Sequence, residues 1–342
     1  MSVRVLVVDD SPMYREFLIN GMLQEPTIEV VGVAGDPYEA RDKIIELKPD
    51  VMTCDIEMPR MNGIEFVTKL IPQYPIPVVM VSSLSDKVFD AMNAGAVDFV
   101  SKPTGVSRQE REDFIKYELV PKILAAASSK VKKAVRPVEK ASFVSRNKSV
   151  RNDYVIAIGA STGGTEAIFN VIKQLPPNMP GIVITQHIPP KFSEMFAARL
   201  DKQCNLSCKE AETGDIIRPG LALVAPGDRQ MRVKKVGNTY QVECAGTDRV
   251  NGHCPSVDVL FESVANEAGK DAMGIILTGM GCDGASGLLK MREAGAVTIG
   301  QDKNTCVVYG MPMEAYKLGA VKYQLPLDDI PKKMDALLAR IM

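Results

Sequence analysis

The sequence carries no excess charge of either sign: 41 lysines and arginines face 42 aspartates and glutamates, a formal net charge of -1. Without a global field, nothing draws the chain onto nucleic acid or an anionic membrane. Long apolar runs are missing too; none approaches the roughly 20 residues that span a bilayer. The opening MSVRVLVVDD lacks a signal-peptide pattern and reads as a strand that begins at once. The seven cysteines (54, 204, 208, 244, 254, 282 and 306) include no CxxC pair, and the chain has only two histidines. Cys204 and Cys208 therefore have few partners for a zinc site, and reduced thiols in a cytoplasmic protein are the expectation.

What is present fits an ordinary globular protein, with 46% hydrophobic and 24% charged residues. A length of 342 residues suits two domains. Short apolar runs at 3–8, 29–34, 50–54, 77–82 and 97–101 predict strands. Amphipathic stretches near 12–24, 37–47, 62–71, 86–94 and 108–127 predict helices between and after them. That alternation implies an α/β sheet of five parallel strands, whose functional side chains gather at the strand C-terminal edge.

Between Ser128 and Arg151 the periodicity stops. The stretch KVKKAVRPVEKASFVSRNKSVR holds eight basic residues and one acid, a pattern that reads as a solvated linker. A second α/β series follows, with strands expected at 154–158, 181–186, 273–278 and 296–300. Its helices are expected near 165–174, 191–201, 257–268 and 285–294. Residues 206–243 look β-rich, with Pro-Gly turns at 219–220 and 226–227, and predict a hairpin insertion in a doubly wound domain. The expected division is 1–127, a linker over 128–152, and 153–342.

Two constellations carry chemistry. Asp9 and Asp10 end the first strand and Asp55 the third, so a parallel sheet brings three carboxylates to one edge. They repel unless a hard cation such as Mg²⁺ lies between them. Ser82 ends the fourth strand and Lys102, followed by Pro103, the fifth; a hydroxyl and an ammonium there suit a phosphoryl group on one carboxylate. The competing interpretation is that each aspartate merely caps a helix. The stretches VLVVDDS, CDIEMPRMNG, VVMVSS and DFVSKP together resemble a two-component receiver domain over residues 1–125. The resemblance implies a flavodoxin-like fold for this five-stranded parallel domain, and that Asp55 accepts phosphate from a histidine kinase. It also implies that Asp9, Asp10, Asp55 and the Glu57 carbonyl hold Mg²⁺, that Ser82 and Lys102 contact the phosphoryl group, and that Phe99 is the aromatic switch residue. The segment from Ser82 to Gly95 is about a helical turn shorter than in other receivers.

In YVIAIGASTGGTEAIF, an apolar strand runs into Gly159-Ala160-Ser161-Thr162-Gly163 and then a helix. This is the G-x-S-x-G form of a nucleophile elbow. A serine nucleophile needs a base. His187 follows the strand GIVITQ in the same strand-end layer, while His253, in NGHCPSVDV, stays open as a pocket residue. The imidazole in turn needs an acceptor to fix its tautomer, and Asp283 stands in the turn GMGCDG after the strand GIILT. Asp283 could equally be the N-cap of its own helix. The order Ser…His…Asp differs from that of α/β hydrolases.

The stretches GASTGGT, QHIPPKFSEMFAARLD, LVAPGDRQM, PSVDVLFESVA, ILTGMGCDGASGL and QDKNTCVVYGMP resemble the chemotaxis-type protein-glutamate methylesterases. The resemblance implies Ser161 as nucleophile, His187 as general base and acid, and Asp283 as orienting carboxylate. Backbone N–H groups of Thr162 and Met280 would form the oxyanion hole, with no cofactor in this site. The expected substrate is a methylated glutamate on the cytoplasmic part of a chemoreceptor, with glutamine deamidation as a second activity. The sequence departs from the family at Cys282, Gln230 and Met313, where Asn, His and a basic residue are common. An unmodified receiver would obstruct the hydrolase until Asp55 is phosphorylated. Two other classes compete: a receiver with a DNA-binding output, which would need a helix-turn-helix and a basic face, and a non-enzymatic adaptor that keeps the fold.

Overall fold

The computed structural model describes residues 2–83, 87–103, 107–129 and 151–341, and the chain divides into two compact units. Most of the expected linker, residues 130–150, lies outside the described residues. No helix among the described residues is long and apolar enough to cross a membrane.

In the first unit, strands β1 (Val3–Val8), β2 (Ile28–Ala34), β3 (Val51–Asp55), β4 (Val78–Ser82) and β5 (Asp98–Ser101) form one sheet. Their order is β2-β1-β3-β4-β5 and every pairing is parallel. A parallel sheet covered on both faces needs continuous apolar sequence; β3 and β4 are accordingly buried at every position. Helices α1 (Pro12–Met22), α2 (Pro37–Leu47) and α3 (Gly63–Leu70) each start on a side-chain cap. Ser11 accepts from the Tyr14 amide, Asp36 from Tyr38 and Glu39, and Asn62 from Glu65, which satisfies amides that a helix start leaves open. Helix α4 (Val88–Asn93) has only six residues.

The helix expected over 108–127 is built of three segments: α5 (Arg108–Asp113), a π-helical turn (Phe114–Leu119) and α6 (Val120–Ala127). Pro121 has no amide and its ring crowds the preceding turn, so the ladder widens just ahead of it.

The second unit holds a seven-stranded parallel sheet. Its elements begin with β6 (Val155–Ala160), α7 (Gly164–Ile172), β7 (Gly181–Gln186), α8 (Phe192–Gln203) and β8 (Ser207–Glu210). Next come β9 (Ile216–Ile217), β10 (Leu221–Val224), β11 (Met231–Val236), β12 (Thr239–Cys244) and α9 (Val257–Glu267). The unit ends with β13 (Ala272–Ile276), α10 (Ala285–Glu293), β14 (Val297–Gln301), α11 (Met311–Lys317), β15 (Tyr323–Leu325) and α12 (Ile330–Ile341). The sheet order is β15-β14-β13-β6-β7-β10-β8, and β9, β11 and β12 form a separate antiparallel sheet. The expected hairpin is β11–β12. The same β-rich stretch also supplies β8 and β10 to the main sheet, where β10 is buried at all four positions.

Strand order reverses between β1 and β3 in the first sheet and between β6 and β13 in the second. At such points the loops leaving the strand C-termini diverge and open a crevice. Apart from Phe99, which lies inside β5, the residues that the sequence marks as functional end or follow β1, β3, β4 and β5 in one unit and follow β6, β7 and β13 in the other.

Candidate functional site

At the first edge, carboxylate oxygens of Asp9, Asp10 and Asp55 all lie within 4.8 Å of one another. Asp9 and Asp55 are buried and Asp10 is exposed. The Lys102 ammonium sits between two of them, 2.7 Å from Asp9 Oδ2 and 2.5 Å from Asp55 Oδ2. Burial pushes the Asp55 carboxyl above its ordinary value, and the Lys102 contacts offset this only in part. Burial also works against the Lys102 ammonium, but its bonds to Asp55 and Asp9 outweigh it and raise its pKa. An all-oxygen donor set with one solvent-facing member fits a hard divalent cation that keeps several waters.

The remaining predicted residues take distinct places. The Glu57 amide donates to Asp55 Oδ1 at 3.2 Å. Ser82 is buried and its hydroxyl donates to the Ser83 carbonyl at 2.7 Å; strand register pairs Asp55 with Val81 and Ser82 with Ser101, which sets Ser82 and Lys102 at the same rim. Phe99 is buried, edge-on to Phe89 at 6.0 Å between ring centroids. Sequence reasoning missed Tyr14, whose ring lies 4.4 Å under the Lys102 ammonium. Burial raises its phenol pKa, and Asp9 and Asp55 add to the effect.

At the second edge, Ser161 follows β6, and its amide donates to the Thr278 carbonyl at 3.0 Å. Gly163 adopts a φ of +73°, and a Cβ there would meet Val307 at 2.7 Å, so the turn behind the serine requires glycine. Gly279 matters for a different reason: a Cβ on it would meet Ser161 Cβ at 2.8 Å. The turn after β13 can lie against the serine only because that atom is absent. Among the described residues, neither the Thr162 nor the Met280 amide is taken by a hydrogen bond.

His187 follows β7. Its Nε2 lies 2.8 Å from Asp283 Oδ2, while Nδ1 is buried with no hydrogen-bond partner among the described residues. Gln186, which sequence reasoning passed over although it precedes His187 directly, donates through Nε2 to the carbonyls of Ser161 at 2.9 Å and His187 at 3.2 Å. One side chain thereby ties the serine turn to the histidine turn.

Asp283 does not cap its own helix; the N-cap of α10 is Gly284, with no side-chain cap bond. It caps α9 instead. The amides of Val257 and Asp258 donate to it at 2.7 and 3.2 Å, as do Ser256 Oγ at 2.7 Å and Asn251 Nδ2 at 2.9 Å. Burial, the largest single influence, pushes this carboxyl up, but the bonds from His187, Asn251 and Ser256 outweigh it and hold it well below the usual range. A carboxylate with that many donors stays charged and fixed in orientation.

The second histidine also belongs to this site. The His253 and His187 rings stack face to face, with centroids 3.6 Å apart and an angle of 13° between planes. Gln230, the departure where His is common, is buried; it donates to the carbonyls of Asp248 at 2.9 Å and His253 at 3.2 Å and accepts from the Ser256 amide at 2.9 Å. It braces the segment that carries His253. Cys282 is exposed beside Asp283, and Met313 lies in α11.

The CheB methylesterase family matches residues 156–334, and the response regulator receiver domain matches residues 5–110. A protein-glutamate methylesterase/protein-glutamine glutaminase 2 of Syntrophomonas wolfei subsp. wolfei is 52% identical over 99% of this chain and 98% of its own. The chain belongs to the CheB methylesterase family. A protein-glutamate methylesterase/protein-glutamine glutaminase of Syntrophotalea carbinolica is 50% identical, again over 99% of this chain and 98% of its own. The solved methylesterase catalytic domain of Thermotoga maritima CheB is 38% identical with a TM-score of 0.53, covering 54% of this chain and 98% of that one. Membership makes the chain a hydrolase. The receiver match lies in the first unit, and the methylesterase match in the second holds Ser161, His187 and Asp283.

Proposed function

We propose that the chain is a phosphorylation-controlled serine hydrolase that removes methyl esters from glutamate side chains of chemoreceptors and deamidates glutamines there. The carrying observation is the His187 ring, bound through Nε2 to Asp283, whose carboxyl is held well below its usual range, while Nδ1 is buried with no partner among the described residues. In this reading Nδ1 takes the proton of the Ser161 hydroxyl as its oxygen attacks the ester carbonyl. The Thr162 and Met280 amides receive the oxyanion. His187 then returns the proton to departing methanol, and a water, activated by the same nitrogen, cleaves the acyl-enzyme to glutamate and free serine. The glutamine reaction follows the same path, with ammonia as the leaving group. Asp283 stabilises the imidazolium in both halves without itself taking the proton.

The first unit is the switch. Asp55 accepts the phosphoryl group from a histidine kinase, with Mg²⁺ held by Asp9, Asp10, Asp55 and the Glu57 carbonyl. Bound there, the cation supplies charge neutralisation for phosphoryl transfer. Lys102 and Ser82 receive the phosphoryl oxygens, and Phe99 changes its packing in response. The unphosphorylated receiver restrains the hydrolase, and phosphorylation relieves that restraint. The domains run 1–127 and 153–342 with a linker over 128–152, and the protein acts in the cytoplasm without inserting in the membrane or binding nucleic acid.

A fluorophosphonate probe tests the chemistry. Wild type acquires one adduct, mapped to Ser161 by peptide mass, and His187→Ala loses it. Labelling elsewhere, or undiminished labelling of His187→Ala, sinks the triad. For control, acetyl phosphate with Mg²⁺ raises ester hydrolysis by wild type but not by Asp55→Asn; equal responses would remove Asp55 from the switch.

A further inference from the structure

The chain's two histidines, far apart in sequence, are brought into a face-to-face stack at 3.6 Å. We propose that His253 is a positioning residue for hydrolysis: its ring is a plate that fixes the plane of His187, and the turn carrying it clamps the His187–Asp283 pair. This proposal rests on the serine hydrolase reading of the second unit.

Geometry carries the argument. The Nε2 contact to Asp283 anchors His187 at one atom, and a ring held at one atom can still tilt about that contact. Tilting would swing Nδ1 away from a hydroxyl that must lie within about 3 Å for proton transfer. A flat partner against the ring face removes that freedom without taking either nitrogen. The partner is itself rigidly presented. The His253 amide donates to the Val250 carbonyl at 2.9 Å, the Val250 amide donates back to the His253 carbonyl at 3.0 Å, and buried Gln230 donates to that same carbonyl.

The same tight turn reaches the other half of the pair. Asn251, held at a φ of +54°, donates from Nδ2 to Asp283 Oδ1 at 2.9 Å and to Asp258 Oδ2 at 2.7 Å. Residues 250–253 thus grip the carboxylate through an amide and the imidazole through a ring face. The face-on ring has an electronic role as well. When His187 takes the serine proton it becomes a cation, and an uncharged His253 ring would attract that cation through its π-face. The stack therefore favours the transition state over the resting enzyme, the kind of contact that raises kcat rather than lowering KM.

The test compares His253→Ala, His253→Leu and His253→Phe in the full chain, by steady-state ester hydrolysis and by the rate of fluorophosphonate labelling at Ser161. Phenylalanine keeps a flat aromatic face and has no ring nitrogen; leucine keeps bulk alone. The expected result is about a ten-fold loss of kcat in the Ala and Leu variants with KM little changed. His253→Phe recovers most of that loss, and labelling rates follow the same order. Unchanged kcat in His253→Ala with a normal thermal midpoint overturns the proposal, as does equal loss in the Phe and Leu variants, which would give the ring nitrogens the role. If wild-type Ser161 is not labelled at all, the hydrolase reading fails and the proposal falls with it.

Discussion

Both units bury an aspartate beside a point where strand order reverses, yet the two carboxylates are held in opposite ways. Among the described residues, Asp55 has one ammonium and one amide as donors, shares the ammonium with Asp9, and is pushed by burial toward its neutral form. Asp283 has five donors, two of them amides of a helix start, and is held charged. A carboxylate that must itself react needs lone pairs within reach and a partner that can move aside. A carboxylate that must only aim an imidazole needs every lone pair tied down. On the proposed function, the difference in hydrogen bonding, more than any difference in fold, separates a site that changes state from one built ahead of its substrate.

That contrast can be broken most directly by kinetics. Asp283→Asn keeps the shape but removes the charge, and the expected loss in kcat for ester hydrolysis is about 10⁴-fold; a loss under ten-fold would mean that the aspartate is only a helix cap. Stability sharpens the contrast next. Asp283→Ala strips the α9 start and leaves buried donors unmet, at a cost of about 3 kcal/mol, read as a lower urea midpoint. Asp55→Asn, relieved of a charge that burial opposes, shifts stability by no more than about 1 kcal/mol. Equal costs would erase the distinction.

The pH dependence of unfolding gives a further check. Because the folded-state Asp283 carboxyl is depressed, its charge contributes stability above the ordinary carboxyl value near 4, and that contribution is lost as pH falls through the folded-state value. The wild-type unfolding free energy should therefore drop more steeply below about pH 4 than that of Asp283→Asn; parallel curves would contradict the assignment. The smallest effect belongs to the first unit. Millimolar Mg²⁺ should raise the thermal midpoint by a few degrees through binding linkage, and Asp10→Asn should abolish the shift. A shift that survives in Asp10→Asn would take Asp10 out of the metal site.

Much of this arrangement was legible in the residues, because strand-end position is a one-dimensional signal. The strands of the first unit fall within a residue of expectation, and Asp9, Asp55 and Lys102 meet as the parallel order requires. The link from His187 to Asp283 was legible for the same reason. What stayed hidden depends on contacts between distant segments. Sequence position points the other way for the cap: Asp283 stands directly before Gly284, the N-cap of α10, whereas the α9 start that it caps lies 26 residues earlier in the chain. The His253 stack and the Asn251 bond need the fold before they exist. Three C-terminal elements were missed: β15, a three-residue strand with no fully buried position, and α11, a seven-residue helix, are too short for a period to stand out, whereas the twelve-residue α12 was long enough to show one and was passed over.

The capping of α9 by Asp283 has a consequence for descent. In the proposed mechanism this carboxylate is needed twice, once for turnover and once to hold a neighbouring helix in place, whereas the side chains of Ser161 and His187 cap no helix among the described residues. A lineage that abandoned hydrolysis and kept the protein as a scaffold would therefore shed its serine or histidine first. The aspartate would survive as a relic of lost chemistry, preserved by folding alone.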